Sequence, residues 1–358
     1  MRVGINARVF SVSEPGGSPV AGINLTEEIL KSDRVETVLF GNNDLNQRFP
    51  KAEVVSSYFP VNSQMYGVVW EQTVLRQIIK KHDIEALLCP NNNGIIIKPD
   101  THMLTWLHDI YTYKGDVATS YKLLQRLRMP RVLSNSDTIV AVSEFTKSEI
   151  VDTFGTPEEK ISVVPNGVQN VFFGDDSTPV GLPDEYLLYV GDLNTRKNIP
   201  RLIEAFNELR SEYGIPHDLV LIGPESKSFY NYPIVDVDND DIHNFGFVSK
   251  LELKYAYENA AVFLFPSLYE GFGMAALESM ACGTPVVAGN RASLPEVLDN
   301  AAILVNPEDP SKIAEETYNL LVDQQLRSKL VRRGSDRASQ YTWKKSANRM
   351  IDIIEQTR

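Results

Sequence analysis

Short apolar runs recur from one end of the chain to the other and alternate with stretches of helical periodicity. In the first half Arg2–Asn6, Val35–Phe40, Ile84–Leu88, Met103–Leu107, Thr138–Val142 and Ile161–Val164 read as strands. Helical spacing falls between them, near Ile23–Lys31, Tyr66–Lys81, Tyr121–Leu133 and Lys147–Phe154. The second half repeats the theme, with strands at Tyr186–Val190, Leu219–Ile222, Val262–Phe265, Val286–Ala288 and Ile303–Val305. Its helices include Pro200–Arg210, Leu251–Asn259, Met274–Cys282 and a last one around Lys344–Gln356. Strands and helices in alternation predict an α/β chain built on doubly wound parallel sheets. The turn-rich, aperiodic segment Val171–Pro183 is the best linker between the halves.

Length agrees with that division, since 358 residues exceed what a single core of about 250–300 residues supports. A net charge of -12 argues against general nucleic-acid binding, which favours a basic surface. Cys89 and Cys282 lie in apolar contexts and read as buried thiols rather than a disulfide. The first ten residues lack the apolar core of a signal peptide, and no apolar run reaches the ~18 residues of a membrane span. We therefore expect a cytoplasmic protein.

The segment with most chemistry is Phe265–Ala288, FPSLYEGFGMAALESMACGTPVVA. A strand end leads through Gly271-Phe272-Gly273 into a helix that Gly283 stops. The N–H groups at the start of such a helix, around Met274, form a ready anion site. Glu270 lies just before the turn and Glu278 eight residues on. Ionised carboxylates only accept hydrogen bonds and so suit hydroxyl groups on either side of an anion. A nucleotide sugar fits that description.

The whole string, with Glu270 and Glu278 separated by seven residues, resembles the signature of glycosyltransferase family 4, particularly its mannosyltransferase-like members. The resemblance implies the GT-B fold, two Rossmann-like doubly wound domains facing a central cleft. Residues 1–170 would form the acceptor-side domain, joined by a returning C-terminal helix at about 342–358. Residues 171–341 would bind the nucleotide sugar. It further implies a retaining hexosyl transfer in which Glu270 holds the donor sugar and Glu278 the ribose.

Four other stretches bear on this reading. In Tyr189–Asn198, YVGDLNTRKN, a strand and the Gly191 turn precede Arg196 and Lys197 at a helix opening, which concentrates positive potential suited to a leaving diphosphate. Asp192 departs from the family pattern, because its carboxylate repels phosphate unless it pairs with Arg196 or points away. His108-Asp109 ends a first-half strand, where open α/β sheets bind ligands, and resembles the family histidine that faces the transferred sugar. In Glu14–Asn24, Gly16, Gly17 and Gly22 precede a helix and match the family's glycine loop near the donor phosphates. Gly223, at another strand end, is expected beside the nucleotide base.

Asp236–Asp241, DVDNDD, offers a metal-like D-x-D spacing, but it lies among turn residues and lacks the glycine and glutamate of a calcium loop. A solvated acidic loop and metal-independent chemistry are the expectation, with no cofactor beyond the donor substrate. Trp70–Gln72, His108–Asp109 and Arg196–Asn198 lean the resemblance toward GDP-mannose over UDP- or dTDP-sugars. The acceptor class is a glycan or lipid-linked glycan. Aromatic and basic residues mixed along Tyr66–Lys81 and Tyr121–Arg131 suit either domain helices or a peripheral contact with the inner membrane face. Competing classes are a GT-B epimerase or phosphorylase and a non-catalytic sugar-binding subunit. The Glu270/Glu278 pair with Arg196 and Lys197 argues against the first two, and the four residues His108, Arg196, Lys197 and Glu270 together argue against a silent subunit.

Overall fold

A computed structural model gives the structure, describing residues 1–11, 16–57, 64–92, 94–115, 119–224 and 240–357. The chain divides into two compact units. The first is built from Met1–Gly115, Thr119–Gly167 and the segment from Thr342 onward, the second from Val168–Tyr341.

Among its described residues the first unit carries a seven-stranded sheet: β1 (Arg2–Asn6), β2 (Glu36–Gly41), β3 (Glu53–Ser56), β4 (Ala86–Cys89), β5 (His102–Leu107), β6 (Thr138–Ala141) and β7 (Ile161–Val163). The order is β3-β2-β1-β4-β5-β6-β7 and every pairing is parallel. The winding reverses between β1 and β4. In open α/β sheets that switch point, outside the carboxyl ends of the strands, is where ligands bind. Apolar strand residues such as Val38, Phe40 and Leu87 are fully buried against Trp70, Leu75 and Ile79 from the covering helices. Each such side chain contributes about 1.5–3 kcal/mol on burial.

The C-terminal helix Trp343–Glu355 belongs to this unit and packs on the helix Gly17–Ile29. Its Met350, Ile351 and Ile354 are buried, and Trp343 meets Trp106 edge-on at 6.4 Å. Gly167 is required here, because a Cβ at that position would stand 2.3 Å from the backbone nitrogen of Trp343.

The second unit holds, among its described residues, a six-stranded sheet of β8 (Tyr186–Val190), β9 (Asp218–Ile222), β10 (Ile242–Asn244), β11 (Val262–Phe265), β12 (Val286–Gly289) and β13 (Ile303–Val305). Its order is β10-β9-β8-β11-β12-β13, again parallel throughout. The reversal lies between β8 and β11. Every residue of β11 and β12 is buried, as strands covered on both faces require.

The structure corrects several expectations. The edge strands β3 and β10 were not anticipated. Tyr66–Lys81 is two helices, Gln64–Gln72 and Val74–Lys81, because the chain leaves helical geometry at Thr73 (φ -114°, ψ -73°). The glycine loop ends at Gly16: Gly17 opens the helix Gly17–Ile29, and Gly22 lies inside it. A Cβ at Gly22 would come within 2.8 Å of the Phe10 ring, so close packing, not loop formation, selects glycine there. Phe172, read as linker, is buried edge-on against Tyr257 at 5.9 Å. Glu14, Pro15 and Asp236–Asn239 lie outside the described residues, while Asp241 pairs with Arg210 at 2.9 Å.

Candidate functional site

The loops after β8 and β11 leave neighbouring strands at the second unit's switch point, which brings Gly191–Asn198 and Pro266–Gly273 together. Gly191 (φ 147°) and Gly223 (φ 145°) turn the chain at the ends of β8 and β9, in a region that side chains rarely adopt. A Cβ on Gly223 would stand 2.2 Å from the Gly191 carbonyl oxygen, so two backbones touch here.

On this floor sits an ion cluster. Lys197 Nζ donates to Glu270 Oε1 at 2.5 Å, and Arg196 Nη1 lies 3.5 Å from Glu270 Oε2. Lys197 Nζ also stands 4.8 Å over the Phe265 ring. All three charged side chains are largely removed from water. Burial alone would raise the Glu270 pKa, but the Lys197 and Arg196 charges outweigh it and hold the carboxyl below its ordinary value. Burial lowers the pKa of Lys197, partly offset by Glu270. The two cations read as diphosphate ligands are therefore engaged with the glutamate read as a sugar ligand, in one cluster with a formal charge of +1 from two cations and one anion. Asp192 accepts from the Tyr189 hydroxyl through its backbone carbonyl at 2.9 Å, and its carboxylate adds negative field at Lys197.

Gly273 (φ 97°) caps the helix Met274–Ala281, and a Cβ there would fall 2.7 Å from Leu294. The backbone of Glu270 is pinned, its carbonyl accepting from the Ser293 hydroxyl at 3.0 Å. Phe272, placed among the donor ligands, turns its ring into the core against Tyr341 at 5.4 Å, which leaves only its backbone for a ligand. Met274 is half-buried at the helix start. Glu278 lies on the same helix and accepts from the Tyr257 hydroxyl at 3.4 Å. Burial pushes its pKa up to about 7, against the opposing effects of Tyr257 and Lys250.

In the first unit His108 follows β5 and is buried beside the Trp106 ring, with centroids 4.5 Å apart. Its Nε2 is 2.8 Å from the Pro90 carbonyl. A carbonyl only accepts, so Nε2 carries the proton and Nδ1 is left as an acceptor. Burial lowers the ring pKa to about 4, outweighing the Pro90 bond and Asp109, so the imidazole is neutral at physiological pH. Gly16 and Gly17 are exposed at the start of their helix.

Trp70, Glu71 and Gln72 hold the scaffold: Trp70 Nε1 donates to Ser57, Glu71 is buried among Asn6, Arg8 and Arg128, and Gln72 accepts from the Ile96 and Ile97 N–H groups. Sequence reasoning passed over Tyr257 and Ser293 and read Asn198 only as the end of a donor-leaning motif; the partners of all three are distant in the chain. Asn198 donates through Nδ2 to the carbonyls of Pro266 (3.1 Å) and Pro307 (2.6 Å). It also passed over Asn194, buried in the same loop, whose side-chain amide meets no hydrogen-bond partner among the described residues.

Residues 175–337 match the family model described as glycosyl transferases group 1, and residues 15–170 match that of glycosyltransferase family 4. O-antigen chain mannosyltransferase B of Escherichia coli is 30% identical over 269 residues, which cover 70% of each chain. The backbone superposes on sucrose-phosphate synthase from Thermosynechococcus elongatus with a TM-score of 0.77 at 18% identity, covering 99% of this chain and 98% of that one. Anabaena HepE, solved in complex with UDP-glucose, gives 0.75 at 16% identity and complete coverage of both chains. The paired parallel sheets, the ion cluster at the second switch point and these matches agree: the chain belongs to glycosyltransferase family 4, a transferase of the GT-B fold.

Proposed function

We propose that the protein moves a hexose, with mannose favoured, from a nucleotide-diphosphate sugar to a glycan or lipid-linked acceptor with retention of anomeric configuration. The observation that carries this reading is the convergence of Arg196, Lys197 and Glu270 at the β8/β11 switch point. GDP-mannose is favoured over UDP- and dTDP-sugars on the similarity to mannosyltransferases.

The diphosphate seats on Arg196, Lys197 and the helix start at Met274, where backbone N–H groups and two side-chain cations take up the charge that develops as the glycosidic bond breaks. The cations thus supply the leaving-group stabilisation that a divalent metal supplies elsewhere, and the proposed reaction is metal-independent. As phosphate oxygens engage the cations, the Glu270 carboxylate turns its lone pairs to sugar hydroxyls. Glu278 accepts from the ribose hydroxyls when ionised. His108 Nδ1, the free acceptor of a neutral ring, receives a hydroxyl of the transferred sugar. The departing phosphate takes the acceptor proton on the face from which it leaves, so neither glutamate acts as a glycosidase acid or base.

A lipid-linked acceptor is supported by the first unit's surface. Tyr66 and Val69 are exposed apolar side chains on the helix Gln64–Gln72, followed by the helix Val74–Lys81 with Arg76, Lys80 and Lys81, while exposed Leu123 and Leu127 share the helix Thr119–Asn135 with Arg126 and Arg131, a mixture suited to an anionic membrane face. The test is a thermal-unfolding panel of GDP-, UDP- and dTDP-sugars, where a ligand at 100 times its dissociation constant adds about 2.7 kcal/mol. Donor hydrolysis and the anomer formed are then followed by NMR. No shift with any nucleotide sugar, or an inverted product, would overturn the reading.

A further inference from the structure

The first unit's switch point repeats, with unrelated residues, the charge composition of the second. Arg8 stands two residues past the end of β1, beside β4, where the strand order reverses. Its Nε lies 3.2 Å from Glu71 Oε1, while Arg128 Nη2 donates to Glu71 Oε2 at 2.6 Å. Asn6, the last residue of β1, donates to the same Oε1 at 3.1 Å. The three charged residues are deeply buried, with 6%, 0% and 3% of Arg8, Glu71 and Arg128 exposed. Two guanidiniums against one carboxylate leave a formal +1. The neighbouring Cys89 supplies no compensating charge, since burial pushes its thiol pKa far up.

Stability does not account for this arrangement. Buried Arg–Glu–Arg groups are commonly no better than apolar residues of the same volume, and an unbalanced buried charge costs several kcal/mol. The seat is nevertheless shaped for Arg8. A Cβ at residue 67 would stand 2.0 Å from Arg8 Nη1 and 2.4 Å from Cζ, so the guanidinium rests on the bare backbone of Gly67. Glu71 and Gly67 fix the fork, yet Nη1 and Nη2 of Arg8 meet no acceptor among the described residues. A rigid, half-satisfied guanidinium fork at a ligand-binding edge matches a planar or tetrahedral oxyanion.

We propose that Arg8 receives an oxyanion of the acceptor, a phosphate, a diphosphate or a uronate carboxylate, with Glu71, Arg128 and Gly67 as positioning residues. This rests on the glycosyltransferase reading above and adds that the acceptor is charged where it meets the first unit.

The experiment is calorimetric titration of three probes, methyl phosphate, methyl glucuronide and a short-chain prenyl diphosphate, into protein saturated with nucleoside diphosphate so that the donor cations are occupied. At least one probe is expected to bind the wild type. Arg8→Gln should weaken it tenfold or more, the effect of a lost charged hydrogen bond of about 1.5–3 kcal/mol, and Arg8→Lys should fall between. The probe that binds identifies the source of the anion. Absence of binding by all three, or equal binding by Arg8→Gln, overturns the proposal. Failure of the nucleoside diphosphate to bind condemns the donor assignment instead. Should Arg8→Gln not fold, wild-type crystals grown with nucleoside diphosphate and the probe decide the matter: an oxyanion within hydrogen-bond reach of Arg8 supports the proposal, and its absence there overturns it.

Discussion

Replacing Glu278 by Gln should make the protein more stable and a worse enzyme at neutral pH. A carboxyl whose pKa stands at about 7, against an ordinary 4.5, holds its proton in the fold after the unfolded chain has lost it. Between those two values the folded state binds more protons at this site, so stability falls as pH rises, and it levels off above about 7. The full penalty reaches about 3 kcal/mol, and partial solvent access at Glu278 reduces it to roughly 1–3 kcal/mol. Glutamine carries no charge and still accepts from Tyr257, so Glu278→Gln should recover that amount above pH 7 and almost none near pH 4. Urea denaturation across this range measures it. Donor binding should move the other way. If ribose binds only the ionised carboxylate, the wild-type dissociation constant rises about tenfold per pH unit below about 7, a dependence the variant lacks. The diphosphate diester of a nucleotide sugar takes up no proton in this range, so the slope belongs to the protein. Equal stability of the two proteins at pH 8, together with pH-independent donor binding by the wild type, would refute both the buried-carboxylate argument and the ribose role.

Lys197→Met should cost about 3–5 kcal/mol by stranding Glu270, and adding Glu270→Gln should restore much of that stability without restoring donor affinity; chemical denaturation beside ligand titration separates the two effects, and additive losses in the double variant would contradict the pairing. Gly223→Ala should destabilise the second unit by at least about 2–4 kcal/mol, because the methyl strikes the Gly191 carbonyl from a strained φ; a denaturation midpoint equal to wild type rules that contact out. His108 should show no ring titration by NMR between about pH 5 and 9, given its lowered pKa of about 4; a midpoint near 6.5 would remove the tautomer argument. Changing Tyr66, Val69, Leu123 and Leu127 to Ser should reduce sedimentation with anionic vesicles, by roughly 1 kcal/mol per side chain, whereas unchanged sedimentation excludes that face.

Much of the fold was legible because buried parallel strands are continuous apolar runs. Val262–Phe265, the Gly271–Gly273 turn and the following helix announce themselves by composition, and their observed bounds differ by a residue at most. Edge strands lack that mark. Glu53–Ser56 has only two half-buried residues between exposed ends, and Ile242–Asn244 is three residues long, so neither stands above its surroundings. Gly17 and Gly22 misled for another reason: intrinsic propensity reads glycine as a break, whereas Gly17 opens the helix and tight packing against Phe10 demands glycine at position 22 inside it. The identities of the site residues were readable from local motifs, but their partnerships were not. Lys197 meets Glu270 across 73 positions, and Glu71 meets Arg8 and Arg128 across 63 and 57. Only the winding of the sheets brings such residues together.

The Asn198 amide ties the loop after β8 to the carbonyls that follow β11 and β13. Three strand ends share one small clasp, and because it grips proline carbonyls it fastens segments with no N–H at those residues to exchange. Vibrations of the phosphate-side lip are therefore not independent: loosening the clasp frees all three segments at once. Hydrogen exchange at Asn194–Lys197, Leu268–Gly273 and Glu308 should then report a single opening rate, and Asn198→Ala should split it into three.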